Sequence, residues 1–137
     1  MVTNMVSKKL FVYGTLKQGG ELHPELAAYR VRFVGSARIQ GRLFHVEGES
    51  YPGAVPTDSP QYIKGELYEL QEPTETLKKI DEVEGCDEGL FERKLVDVWT
   101  GNRKTKAWAY FYAKPLRKSP PIASGHFPVK SHAKIAQ

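Results

Sequence analysis

Residues 11–19 are predicted to form the end of an apolar strand and, directly after it, a glycine-containing turn. Leu10, Phe11 and Val12 are typical of the end of a buried strand, and Gly14 opens the polar segment that follows. A strand that stops at such a turn leaves backbone N–H groups without partners, and these groups can hold an anion or a carbonyl oxygen. An ordinary strand-to-loop turn has the same pattern, so the segment indicates chemistry only together with a second feature.

The second feature is Glu84, a carboxylate at the end of a helix predicted from residues 72–74 to about Glu84. At about 100° per residue, Glu84 falls on the same helical stripe as Leu77 and Ile80, which face the core. Burying a carboxylate costs free energy unless the group is paired or used. Partial burial and the position before a predicted helix cap at Gly85 both raise the pKa of Glu84. A glutamate with a raised pKa can accept and return a proton near neutral pH.

The same residues leave a structural role open for Glu84. Its carboxylate can pair with Arg93 or with a backbone N–H and fix the loop after the helix, in which case it carries no chemistry. Fraying of the helix end would also turn the side chain outward.

Alternating apolar and polar residues predict six strands, and a shorter extended segment lies at 51–56 between two prolines. The strands are predicted at residues 9–13, 29–39, 42–46, 62–70, 90–99 and 104–112. Gly35 predicts a bulge in the second strand, and residues 101–102 predict the tight turn of a hairpin. With one or two helical turns at 23–28 and one main helix, the pattern favours the α/β (α+β) class. We expect a twisted, partly closed antiparallel or mixed sheet with the helix packed against it.

Length and composition indicate one globular domain that needs no disulfide. The chain has 137 residues, and 40% of them are hydrophobic. Its single cysteine, Cys86, cannot form an internal disulfide, which suits a reducing compartment. There is no run of about 18 apolar residues and no signal-peptide pattern at the N-terminus. We therefore expect a cytoplasmic protein without a membrane partner.

The charge is distributed unevenly along the chain. Residues 1–100 hold 12 Lys+Arg and 16 Asp+Glu, whereas residues 101–137 hold 8 Lys+Arg and no acid. A basic segment can bind nucleic acid, but here the cations are dispersed among Pro, Ser and Ala rather than clustered. We expect a domain at residues 1–113, followed by a solvated, partly mobile tail at 114–137, and we do not expect nucleic acid as a partner.

The two chemical features together resemble the γ-glutamylcyclotransferase-like family, which includes γ-glutamylamine cyclotransferases and AIG2-like proteins. The family's motifs are a Tyr-Gly-(Ser/Thr)-Leu loop after the first strand and a Leu-Asp-x-(Phe/Val)-Glu-Gly helix end. This chain has YGTL at 13–16 and IDEVEG at 80–85. A Tyr-Pro segment at 51–55 and a closing hairpin at 91–112 also match, although Phe91 stands where tyrosine is common. The resemblance covers about residues 9–113.

The resemblance implies a small mixed β-barrel and a reaction that needs no metal or organic cofactor. Glu84 would take a proton from the α-amine of a γ-glutamyl group, whose attack on the γ-carbonyl closes the ring of 5-oxoproline. Glu84 would then return the proton to the departing amine. The small-molecule substrate would be held by backbone N–H groups and side chains; the candidates are Tyr13, Gly14, Thr15, Leu16, Tyr110, Tyr112 and Arg93. Core packing remains the alternative for the two later tyrosines, and an ion pair with Glu84 or Asp81 for Arg93.

Two other functions remain open from the sequence. One is a non-catalytic module that keeps the pocket for a small metabolite, and the other is a nucleic-acid binder that uses the basic tail. A nucleophilic role for Cys86 is disfavoured because no histidine lies near it in the sequence. The leaving amine and the oligomeric state have no sequence signal that we recognise.

Overall fold

The structure, a computed structural model, describes residues 7–129 of the chain. It contains seven strands and two α-helices within this range, and a short 3₁₀ turn at Cys86–Glu88. In chain order the elements are β1 (Lys9–Val12), α1 (His23–Ala27), β2 (Val31–Gln40), β3 (Arg42–His45), β4 (Pro52–Val55), β5 (Tyr62–Leu70), α2 (Pro73–Val83), β6 (Phe91–Thr100) and β7 (Arg103–Tyr112).

Five of the strands form a closed barrel in the order β1-β5-β2-β6-β7. The neighbouring pairs are antiparallel except for β1 and β7, which run parallel and close the barrel at Leu10 and Trp108. Strands β3 and β4 form a separate two-stranded sheet. The predicted class, a small mixed barrel with one main helix, is confirmed, and the barrel is closed rather than partly closed.

Strand β1 lies between two hydrophobic clusters. Successive side chains of the strand point to opposite faces of the sheet, and both faces are buried. Phe11 belongs to the cluster that includes the inner residues of β2, β5 and β7. Leu10 and Val12 belong to the cluster that includes Leu77 and Ile80 of α2. The turn after β1 therefore leaves the barrel beside the helix that carries Glu84.

The predicted bulge at Gly35 is present, since the β2–β5 register shifts between Phe33 and Gly35. The predicted start of this strand at residue 29 was wrong. The N–H group of Tyr29 donates to the carbonyl of Leu26 (3.1 Å) and closes the turn of α1, so the strand begins at Val31.

Residues 114–129 are mostly exposed, as expected for a solvated tail, but they are also hydrogen-bonded to β3 and β5. The Ile122 N–H group donates to the Leu43 carbonyl (2.7 Å), the His45 N–H group to the Pro120 carbonyl (2.9 Å), and the Lys64 N–H group to the Gly125 carbonyl (2.8 Å). Prolines prevent a regular strand here, but their carbonyls still accept hydrogen bonds. Residues 130–137 of the predicted tail lie outside the described residues. Within residues 7–129, no helix is long and apolar enough to cross a membrane.

Candidate active site

A small cavity of about 90 Å³ lies where the turn after β1 meets β4 and the end of α2. Both features singled out from the sequence, the turn and Glu84, contribute to its wall. Its lining residues are Phe11, Val12, Tyr13, Gly14, Thr15, Leu16, Leu22, Tyr51, Pro52, Val83, Glu84, Leu90, Phe91 and Tyr110.

The turn after β1 is folded by its own backbone. The Lys17 N–H group donates to the Gly14 carbonyl (3.0 Å), and the Leu22 N–H group donates to the Thr15 carbonyl (2.9 Å). For the N–H groups of Gly14, Thr15 and Leu16, no acceptor is found among residues 7–129. All three residues line the cavity, and we expect their amide donors to serve a carboxylate or an oxyanion there.

Gly14 lets β4 approach this turn closely. A Cβ atom at this position would lie 2.9 Å from Cδ and Cγ of Pro52, inside van der Waals contact. Pro52 lines the same cavity and has a rigid ring, so the clash cannot be relieved by a change of rotamer.

We predict that Gly14→Ala displaces the turn or Pro52 and lowers kcat/KM for the reaction at this cavity by about 10–100-fold. The reason is a misplaced set of amide donors rather than a lost functional group. Steady-state kinetics together with circular dichroism and thermal unfolding test this prediction. Wild-type kinetics in a folded variant would show that the close approach does not matter.

Glu84 reaches the cavity because of the way α2 ends. Its N–H group donates to the Ile80 carbonyl (2.8 Å), and Gly85 then turns the chain with a positive φ of 68°. Gly85 donates in turn to the Glu82 carbonyl (3.1 Å), which is the geometry of a left-handed helix cap. Since Leu77 and Ile80 are buried against the barrel, Glu84 is turned to the same side, as predicted.

The carboxyl of Glu84 has neither a hydrogen bond nor an ion pair with any residue in the described range 7–129. The residue as a whole is half-buried, but its carboxyl is largely removed from water. Burial raises the pKa of Glu84 to about 7. A carboxyl with this pKa is present in both protonation states near neutral pH, which is the requirement for a group that shuttles a proton.

Tyr13 ties the turn to two strands of the fold. Its hydroxyl donates to the Tyr110 carbonyl of β7 (2.6 Å) and accepts from the Ala54 N–H group of β4 (3.2 Å). Burial, with a further contribution from the charge of Glu84, raises the pKa of Tyr13, so the hydroxyl stays protonated and keeps donating. This geometry makes Tyr13 a structural tie, while part of the residue lines the cavity.

We predict that Tyr13→Phe lowers the free energy of unfolding by about 1–3 kcal/mol, because a buried N–H group and a buried carbonyl each lose a partner. Tyr112→Phe is the matched control, since no hydrogen bond of the Tyr112 hydroxyl is found within residues 7–129. Urea denaturation of the two variants measures the difference. Equal losses would contradict the role of the Tyr13 hydroxyl.

Comparison with known proteins assigns this arrangement to a family. The sequence model of the family described as gamma-glutamyl cyclotransferase, AIG2-like, matches residues 10–129, which include both walls of the cavity. The chain belongs to this family.

Two curated relatives and one solved structure show how far this AIG2-like chain resembles known members. A Methanocaldococcus jannaschii protein whose name assigns it to the gamma-glutamylcyclotransferases is 30% identical, over 75% of this chain and 82% of that protein. The gamma-L-glutamyl-butirosin B gamma-glutamyl cyclotransferase of Niallia circulans is 36% identical, over 75% of this chain and 65% of its own length. The crystal structure of a mouse AIG2-like protein superposes with a TM-score of 0.71 over 88% of each chain. At 22% identity, this superposition shows the shared fold alone.

Arg93 of this AIG2-like chain is placed differently from its predicted role at the substrate. Its guanidinium donates two hydrogen bonds to the carboxylate of Asp81 (2.8 and 3.1 Å) and stacks over the ring of Trp108 at 4.3 Å. Arg93 does not line the cavity; together with Asp81 and Trp108 it lines a separate groove beside α2. Of the two ion pairs that the sequence left open, the structure contains the one with Asp81, and we do not retain Arg93 as a substrate-binding candidate.

The two later tyrosines occupy different positions relative to the cavity. Tyr110 lines it, and its hydroxyl donates to the Asp81 carboxylate (2.6 Å). Tyr112 is not among the lining residues and packs instead on Phe91, with ring centroids 5.4 Å apart. We therefore do not retain Tyr112 as a substrate-binding candidate, and its ring supports Phe91 instead.

Sequence reasoning missed several apolar residues of the cavity wall, notably Tyr51, Leu90 and Phe91. In the sequence, these residues have the same neighbours and spacing as ordinary loop and strand residues, so nothing marked them as part of a site. The signal that could have found Tyr51 was the Tyr-Pro segment at 51–55, whose resemblance to the family was noted without assigning it to the site.

Cys86 is poorly suited to act as a nucleophile in this AIG2-like protein. Burial, and then the charges of Asp81 and Glu84, raise the pKa of the thiol to about 11. The reactive thiolate is therefore scarce at neutral pH. Over the described part of the chain, no group of three or more His, Cys, Asp or Glu side chains is arranged to hold a metal ion.

Proposed function

We propose that this chain is a γ-glutamylcyclotransferase that releases 5-oxoproline from a γ-glutamyl amine or amino acid, with Glu84 as general acid and base. One observation carries the proposal. Among the described residues, the Glu84 carboxyl has no partner and has a pKa raised to about 7, and Glu84 lines the same small cavity as Gly14, Thr15 and Leu16, whose N–H groups have no acceptor. Family membership supports the reaction type.

The proposed reaction moves one proton and exchanges one bond for another. The neutral α-amine attacks the γ-carbonyl carbon and forms the ring C–N bond while ionised Glu84 accepts a proton from the nitrogen. The carbonyl oxygen becomes an oxyanion, which the amides of Gly14, Thr15 and Leu16 stabilise. Glu84 then gives its proton to the departing nitrogen as the original amide C–N bond breaks. No water is consumed, and the carboxylate is regenerated.

The cavity suits an intramolecular reaction of this kind. Its small volume fits a compact group such as the γ-glutamyl moiety, and a folded conformation brings the amine onto the carbonyl. Tyr51, Leu90 and Phe91 contribute apolar surface to the same wall as Glu84. Apolar surroundings disfavour the ionised carboxylate and keep its pKa raised, so the proton can be returned to the leaving amine.

The proposal is tested by assaying 5-oxoproline release from a panel of γ-glutamyl compounds: α-amino acids, the lysine ε-amine, polyamines and glutathione fragments. Two controls isolate the chemistry. In the α-glutamyl isomer the amide to be cleaved is on the α-carbonyl, which the amine cannot attack through a five-membered ring, and the N-acetylated γ-glutamyl compound lacks the nucleophile. Release from at least one γ-glutamyl compound and from neither control is expected. Release from none would contradict the proposal.

A further inference from the structure

A second cavity, of about 440 Å³, lies outside the candidate active site and shares no lining residue with it. Four of its lining residues carry basic side chains: Lys17, Arg38, Lys64 and His126. Its single acidic lining residue is Glu66, whose Oε1 accepts from the Gln18 N–H group (2.9 Å) and from the Tyr68 hydroxyl (3.1 Å). The basic groups thus outnumber the acid in this cavity.

Lys17 is the most unusual of these residues because it is only 4% exposed. Its ammonium donates to one group, the Phe127 carbonyl (2.6 Å), although an ammonium has three donors. No carboxylate lies within ion-pair distance of it among residues 7–129. Burial lowers the pKa of Lys17, and the nearby charge of Glu66 opposes this shift without forming an ion pair. The reaction proposed above makes no use of this side chain.

The neighbours of Lys17 increase the positive potential of the cavity. The charges of Lys17 and Lys64, together with partial burial, lower the pKa of His126, with Lys17 as the largest cause. The guanidinium of Arg38 packs beside the adjoining rings of Tyr62 and Trp99, 5.5 Å and 5.8 Å from their centroids, and donates to the Gly101 carbonyl (3.2 Å). Arg38 lies opposite Lys64 in the β2–β5 ladder, and both line the cavity with Lys17. Three cationic side chains on one cavity wall can bind an oxyanion through charge-assisted hydrogen bonds.

We propose that this cavity is a binding site for a phosphate group, either free phosphate or a phosphate monoester, with Lys17, Lys64 and Arg38 as its cationic ligands. The doubly charged anion matches three cations better than a single carboxylate would, and its oxygens can use the free donors of Lys17. Trp99 lines the same cavity and offers an aromatic surface to the organic part of an ester.

The experiment titrates the full chain with inorganic phosphate and, separately, with phenyl phosphate, at constant ionic strength set with sodium chloride. Thermal unfolding and amide NMR shifts are the readouts. We expect a midpoint that rises with phosphate and shifts that saturate at Lys17, Arg38 and Lys64. Tighter binding of phenyl phosphate would identify an ester as the source of the group, and equal or weaker binding would identify free phosphate.

Variants assign the binding to this cavity. Lys17→Met and Lys64→Met should each weaken phosphate affinity by about tenfold or more, as expected for the loss of a charged hydrogen bond. Lys78→Met, which removes an exposed lysine on α2, is the control and should bind as wild type. Lys64 is exposed, so this variant preserves the test if Lys17→Met does not fold.

Two results would overturn the phosphate site. One is a response that sodium chloride reproduces, and the other is unchanged affinity in the Lys64→Met variant. The Glu84→Gln variant should bind phosphate as wild type does, so failure of this site and failure of the proposed enzymatic function are separate outcomes.

Discussion

The Glu84→Gln variant is expected to release 5-oxoproline about 10²–10⁴-fold more slowly than wild type, the range typical of losing a general acid–base group. Glutamine keeps the size of the side chain but cannot accept the proton of the attacking amine. Because the amides of Gly14, Thr15 and Leu16 are untouched, the variant should still bind the substrate. The loss should therefore appear in kcat rather than in KM.

Glu82→Gln is the matched control for this variant. It makes the same chemical change two residues away on α2, at an exposed side chain that does not line the cavity. Its turnover should equal that of wild type. A Glu84→Gln enzyme as fast as wild type would remove the proton-shuttle role. Binding of γ-glutamyl compounds by a wild type that does not turn them over would instead favour the metabolite-binding module.

The same substitution should stabilise the protein at high pH. The pKa of Glu84 is raised to about 7 in the folded chain, from about 4.5 for an ordinary glutamate, so the folded state binds the proton more tightly than the unfolded state does. The stability of wild type therefore falls as pH rises from about 4.5 to about 7, and remains lower above that range. Glutamine does not ionise, so the variant does not carry the free-energy cost of a buried charge at this position. The variant should exceed wild type by about 2–3 kcal/mol in free energy of unfolding at pH 8.

Urea denaturation at two pH values tests this second prediction. At pH 5 most of the difference should disappear and fall below about 1 kcal/mol, since the folded wild type then keeps its proton. Glu82→Gln should show no comparable dependence on pH. A Glu84→Gln variant that is no more stable than wild type at pH 8 would mean that the carboxyl is solvated and has an ordinary pKa. A gain in stability joined to a loss of turnover is typical of a residue retained for function.

Local patterns were enough to predict the helix that carries Glu84. The spacing of Leu77, Ile80 and Glu84 is a property of α2 alone, and Gly85 marks its end. The bulge at Gly35 and the hairpin of β6 and β7 were likewise predicted from neighbouring residues. These features depend on interactions close in sequence, which explains why they can be read before the fold is known.

The contacts that could not be predicted join residues far apart in the chain. The parallel pairing of Leu10 with Trp108 closes the barrel, but a strand pattern carries no information about its partner. Arg93 had two acids within reach on the same helix, and only packing on Trp108 directs it to Asp81. The segment 114–129 was expected to be solvated because of its prolines and its charge. Its attachment depends on carbonyl acceptors, which no side-chain pattern reveals.

The central claim is that ionised Glu84 accepts a proton from the neutral amine of the substrate, and the pH dependence of kcat/KM tests it most directly. Two protons must then be absent for reaction, one from Glu84 and one from the substrate ammonium. The logarithm of kcat/KM should rise with a slope of two below about pH 6.5, and one of its bends should lie at about 7. The pKa of the substrate amine, titrated separately, accounts for the other bend. A slope of one from pH 6.5 down to pH 5 would contradict the account, because Glu84 would then titrate as an ordinary carboxyl or take no part.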